Sequence, residues 1–127
     1  MKKALKKIFL ALAMTMTLFA LVACVPSSVE KAKKKMAKEG YTVLSIDEDV
    51  LDALDIDGAV GGINATKRDG LSIDSLIAVR FDSVKDAKAA IADWDALMNR
   101  FGAKGTAIRD GKWVYSGSED GIEDFTD

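Results

Sequence analysis

The strongest restriction on what this chain can fold into lies in its first residues. Met1-Lys2-Lys3-Ala4-Leu5-Lys6-Lys7 carries four lysines and no acid, and from Ile8 to Val22 only Thr15 and Thr17 interrupt an apolar run. Those fifteen residues would reach about 22 Å as a helix at roughly 1.5 Å each, short of the ~20 residues that cross a bilayer. A basic start, a brief apolar centre and small residues at its end have the proportions of a segment removed during export, not of a membrane span or a core helix. Cutting residues 1–23 from the 127 leaves 104, one small domain that buries roughly two thirds of its surface without metal or disulfide support.

Leu21, Val22 and Ala23 stand directly before Cys24, the only cysteine of the chain. The pattern resembles the lipobox read by signal peptidase II in bacterial lipoprotein precursors. That resemblance implies a diacylglyceryl group on the Cys24 thiol, cleavage before it, and acylation of the new amino terminus. A single cysteine forms no internal disulfide, and once lipidated it leaves no free thiol. Lipid supplies membrane affinity of about 0.8 kcal/mol per buried methylene, and two chains hold stably where one does not. The expected organisation is a signal peptide over 1–23, a lipidated tether over 24–27 and a single domain over 28–127. Its expected place is the extracytoplasmic face of the cell membrane.

Charge narrows the partners. Of 18 basic and 20 acidic residues, four lysines belong to the signal segment, so 14 face 20 in the remainder and the formal charge there is −6. Nucleic acid, which needs a basic face, is not an expected partner. Ser27 and Glu30 have capping-box spacing, and Val29, Ala32 and Met36 then fall on one helical face, with Gly40 placed to end the helix. Lys31, Lys33, Lys34, Lys35 and Lys38 occupy the others. The plain reading is a solvated surface; the sharper one places Lys31, Lys34, Lys35 and Lys38 against anionic headgroups, each adding up to ~1 kcal/mol.

Tyr41 to Ile46 is rich in β-branched and aromatic residues and reads as a strand. Asp47 to Asp57 reads as one short helix begun by an aspartate cap. Ala59 to Lys67 reads as a strand in which Gly61 and Gly62 mark a bulge or a close backbone approach. Arg68-Asp69-Gly70 is turn chemistry, and the chain returns as a strand through Phe81, apolar in part on both faces. Ser83 caps a helix in which Val84, Ala87, Ile91, Trp94, Met98 and Phe101 step by three and four along one face for about five turns, with Gly102 past its end. Thr106 to Arg109 and Lys112 to Tyr115 form a hairpin around Asp110-Gly111, the chemistry of a type I′ turn. Ser118 caps a last short helix that packs through Ile122 and Phe125, and Gly121 weakens it by roughly 1 kcal/mol.

The order is helix, strand, short helix, strand, strand, long helix, strand, strand, short helix. It predicts an α+β two-layer sandwich, an antiparallel sheet of about five strands under one long and several short helices. Lys31-Ala32-Lys33 leading to Gly40-Tyr41-Thr42-Val43, Phe81-Asp82-Ser83 opening the long helix, and Gly111 to Ile122 add to the lipobox. Together they resemble small uncharacterised lipoproteins of Gram-positive bacteria. The resemblance implies attachment to the outer face of the membrane and no assigned activity.

There is no histidine, which removes the commonest general base and the commonest metal ligand. With no free thiol, thiolate catalysis and ordinary zinc sites drop out. No G-x-S-x-G, phosphate-binding loop or dinucleotide fingerprint is present. Ser28-Val29-Glu30-Lys31 has Ser–Lys dyad spacing but lies at a helix start. Asp47, Glu48, Asp49, Asp52, Asp55 and Asp57 form an acidic patch, and Asp55-Ile56-Asp57-Gly58 matches part of a calcium loop. Ala53 and Asn64 fail it at both ends. Asn64-Ala65-Thr66 fits a glycosylation sequon inside a strand.

No catalytic residue, metal or cofactor is therefore expected. The expected function is a membrane-anchored, non-enzymatic binding or adaptor domain whose partner is an envelope protein or a small ligand. Recognition would use a sheet face, an edge strand or the glycines at 61 and 62. The alternatives are a cell-envelope hydrolase using carboxylates, with two acids about 5–9 Å apart in a cleft, and a protein inhibitor that plugs such a hydrolase with an aromatic-bearing loop.

Overall fold

The computed structural model describes residues 25–100 and 106–127. The expectations for Leu21, Val22, Ala23 and Cys24, and for Phe101 and Gly102, concern positions outside the described residues. Along the described chain run helix α1 (Val29–Lys38), strand β1 (Thr42–Ile46), helix α2 (Glu48–Ala53), β2 (Ala59–Asp69), β3 (Ser72–Phe81), α3 (Val84–Ile91), α4 (Trp94–Arg100), β4 (Ile108–Asp110), β5 (Trp113–Gly117) and α5 (Glu119–Thr126). The strands form one antiparallel five-stranded sheet in the order β1-β2-β3-β5-β4. The fold is α+β, with the class and the strand number that the sequence predicts.

The number of layers differs. Ile63, Ala65, Leu76, Ala78, Trp113 and Tyr115 project from one face of the sheet into a cluster completed by Ala32 and Met36 of α1 and Phe125 of α5. Ile77, Val79, Phe81 and Val114 project from the other face, against Leu51 of α2, Ala87 of α3 and Trp94 and Met98 of α4. The sheet is therefore covered by helices on both sides, in three layers instead of the two expected. Strand composition gives the reason. Leu76-Ile77-Ala78-Val79 and Trp113-Val114-Tyr115 are apolar at successive positions, which point to opposite faces, and each face needs its own cover.

The predicted five-turn helix is two helices. At Ala92 and Asp93 the amide groups bond to carbonyls three residues back, to Ala89 at 3.3 Å and to Ala90 at 3.1 Å. That tighter winding rotates α4 relative to α3. Ala87, Trp94 and Met98 reach the core, while Val84 and Ile91, placed in the predicted stripe, stay 40% and 38% exposed. Trp94 Nε1 donates to Ser116 Oγ at 3.2 Å, and that hydroxyl lies 3.1 Å from Met98 Sδ, which ties α4 to β5.

Both hairpins turn one residue later than their sequences suggest. Asp69 pairs with Ser72 and Asp110 with Trp113, so the two-residue loops are Gly70-Leu71 and Gly111-Lys112. Gly70 (φ +63°) and Gly111 (φ +59°) are left-handed, whereas Leu71 and Lys112 are not, which is the requirement of a II′ turn, instead of the I′ turn expected around Asp110-Gly111. Asp110 is kept in the strand because its carboxylate accepts the Tyr115 hydroxyl proton. The expected bulge is present between Ala59 and Gly61, and an ideal Cβ at Gly62 would lie 2.6 Å from the Ala78 carbonyl oxygen, the close approach expected there. Both glycines are buried. Helix α2 ends at Ala53 instead of running to Asp57, and the Asp47 side chain makes no capping bond.

The short tether is part of the fold from its second residue. Val25 packs against the cluster under α1 and α5, and Trp113 Nε1 donates to the Pro26 carbonyl at 2.6 Å. Ser28, not Ser27, then caps α1, accepting from the Lys31 amide at 3.1 Å.

A candidate binding cleft and the surface of the first helix

Between the loop after α2 and the α3–α4 pair the surface sinks into a cavity of about 360 Å³. Leu54, Ile56, Ala89, Ala90 and Trp94 give it an apolar floor, and Asp55, Asp57, Asp86 and Asp93 supply its acid rim, with no basic side chain lining it among the described residues. Local geometry builds both walls. Asp55 is left-handed (φ 59°), the only non-glycine residue in that state among the described residues, and it swings the chain out of α2. Gly58 lets the Asp86 carboxylate lie over the backbone, since an ideal Cβ there would meet Asp86 Oδ2 at 2.3 Å. Asp82 N donates to Gly58 O at 2.8 Å and pins the two walls together. The break at Ala92–Asp93 places Asp93 on the rim just before buried Trp94.

The acidic patch expected over residues 47–57 divides. Asp47, Glu48, Asp49 and Asp52 are exposed along α2 without joining the cleft, whereas Asp55 and Asp57 enter it and meet Asp86 and Asp93. Asp86 and Trp94 read in sequence as helix start and core; only the broken helix brings them to this rim. Among the described residues no group of three or more His, Cys, Asp or Glu side chains has a geometry that could hold a metal ion. Ser28 serves as the cap of α1 and the sequon lies inside β2.

Helix α1 sorts the basic residues. Its core side is Ala32 and Met36, and Lys31, Lys34 and Lys38 are exposed on the opposite side. Lys35 turns toward α5 and donates to the Asp127 main-chain oxygen at 2.7 Å, and Lys33 lies 3.7 Å from Glu30. The four lysines predicted to form one surface are therefore three plus a clamp to the carboxyl end.

A buried polar group lies below α1. Tyr41 Oη donates to Asp124 Oδ2 at 2.8 Å, and Lys67 Nζ sits 3.9 Å from the same oxygen, 4.7 Å over the Tyr41 ring and 3.2 Å from the Glu39 carbonyl it donates to. Burial first, then the Asp124 hydrogen bond and charge, push the Tyr41 phenol well above its ordinary value. Tyr115 is raised in the same way by burial, then by Asp110. Phenols held neutral are poor bases, and the group acts as a fastening between the segment that joins α1 to β1, strand β2 and helix α5.

Comparison of the chain with protein-family models, curated proteins and solved structures finds no match. Among the described residues no helix is long and apolar enough to cross a membrane.

Proposed function

We propose that this is a lipoprotein, anchored through Cys24 on the extracytoplasmic face of the cell membrane, whose domain is a non-enzymatic binding module. Its ligand presents an alkylammonium group to the cleft. One observation carries the ligand chemistry: among the described residues, four aspartates and no basic side chain surround an apolar floor of the size of a small-molecule pocket. An alkyl segment gains from covering Leu54, Ile56 and Trp94, and the ammonium end gains from the acid rim, more so at low salt.

A carboxylate hydrolase is less well supported by the same cleft. Such an enzyme needs one acid held protonated by apolar surroundings, and here Asp55, Asp57 and Asp93 are exposed and Asp86 only half-buried. An inhibitor that inserts an aromatic finds no support either, because all aromatic side chains among the described residues are buried.

Titration with n-hexylammonium and with hexanoate, followed by amide and indole resonances, tests the binding reading. Hexylammonium is expected to shift the Trp94 indole and the 54–57 and 86–93 amides saturably, hexanoate to leave them in place, and Asp86→Asn with Asp93→Asn to weaken the response. Equal responses to both probes, or none to either, would refute it.

A further inference from the structure

We infer that the exposed stripe Lys31, Lys34 and Lys38 of α1 is the surface on which the domain stands on an anionic bilayer, so that the cleft opens away from the membrane. The inference rests on the lipid anchor at Cys24 proposed above and adds an orientation to it.

The first ground is where the described chain begins. Val25 is packed into the cluster under α1 and α5, and Trp113 Nε1 holds the Pro26 carbonyl at 2.6 Å. The Ser28 cap at 3.1 Å follows and fixes the start of α1. A lipidated Cys24 is thus one residue from a point bound to the core, so the anchor acts as a mount and not as a swinging leash. Helix α1 begins four residues after that point and is about 15 Å long.

The second ground is charge and direction. Ala32 and Met36 face the sheet, which turns Lys31, Lys34 and Lys38 outward, and all three are exposed. Charges act across only about 8 Å at physiological ionic strength, and the mount brings this stripe to the headgroups at high effective concentration, where three weak contacts suffice. The neighbouring helix α5 carries Glu119, Asp120, Glu123 and Asp124 and no basic residue, and of these Asp124 is buried against Tyr41 and Lys67. An anionic surface repels that half of the layer, so the domain stands on the α1 edge instead of lying flat. The cleft lies on the other side of the sheet, behind α2, α3 and α4.

The test uses the full lipidated protein on vesicles of phosphatidylglycerol containing nitroxide-headgroup lipid. Because Cys24 carries the lipid, single reporters can be attached through Lys34→Cys on α1 and Lys88→Cys on α3. Stronger quenching at 34 than at 88 is expected. The difference should shrink on phosphatidylcholine vesicles and in the Lys34→Cys protein also carrying Lys31→Glu and Lys38→Glu, while the membrane-bound fraction is unchanged. Membrane-bound protein with equal quenching at both sites, or more at 88, overturns the orientation and leaves the anchor standing. Protein found in the soluble fraction with an unmodified Cys24 by mass spectrometry overturns both.

Discussion

Two glycines share one carbonyl oxygen. An ideal Cβ at Gly117 would lie 2.2 Å from Ser75 O, and one at Gly121 would lie 2.1 Å from the same atom. By propensity alone alanine at 121 should strengthen α5 by roughly 1 kcal/mol. The close approach reverses the sign, because Ser75 O belongs to β3 in the middle of the sheet and can yield only by bending the strand. Overpacking of this kind costs about 1–3 kcal/mol. Gly121→Ala is therefore expected to lower stability by about 1 kcal/mol net in urea denaturation, and a measured gain would refute the contact. Gly70 and Gly111 have open space where a Cβ would go, so their role is conformational.

Helix starts were the most legible elements. Ser28, Ser83 and Ser118 each accept an amide at 3.1 Å, from Lys31, Asp86 and Gly121 respectively. The first was expected one residue earlier. The three caps are unequal, because Ser118 Oγ also accepts from the Ser75 amide at 3.1 Å and so joins α5 to β3. Ser118→Ala removes an ordinary cap, worth about 0.5–2 kcal/mol, and leaves a partly buried strand amide without its partner, worth about 1–3 kcal/mol more. Ser28→Ala removes only an exposed cap. Unfolding free energies from urea denaturation should separate the two by at least about 1 kcal/mol on those figures, and equal losses would show that the junction contributes nothing. The break between α3 and α4 was not legible, since neither Ala92 nor Asp93 is a helix breaker and the apolar spacing runs on through both. The cleft was illegible for the same reason: Asp55 and Asp57 stand out as a local acid run, but their partners Asp86 and Asp93 are joined to them only by the tertiary fold.

At the scale of the molecule the sheet divides two cores, and both tyrosines of the chain serve the one under α1 and α5. Tyr41 fastens α5 through Asp124, and Tyr115 fastens β4 through Asp110 while its ring lies 5.1 Å from Phe125. Both phenols are raised by burial first and by the facing carboxylate next. An unfolded tyrosine loses its proton near pH 10, whereas these two keep theirs in the native state at higher pH. Their contribution to stability is thus complete below pH ~10 and is lost as pH rises beyond it. With two protons held only by the native state the slope is about 2.7 kcal/mol per pH unit, enough to exhaust a stability of roughly 5–15 kcal/mol within a few units. Tyrosinate absorbance at 295 nm should stay flat through pH 10 and then rise in a single step together with the loss of far-ultraviolet circular dichroism. Tyr41→Phe should halve the slope and leave the step cooperative, because β1, β2, β3 and β5 pass the loss on one face directly to the other. Absorbance that climbs near pH 10 while the dichroism is still native would show that at least one of the two phenols is free in solution, and that the fastening under α1 is not as described.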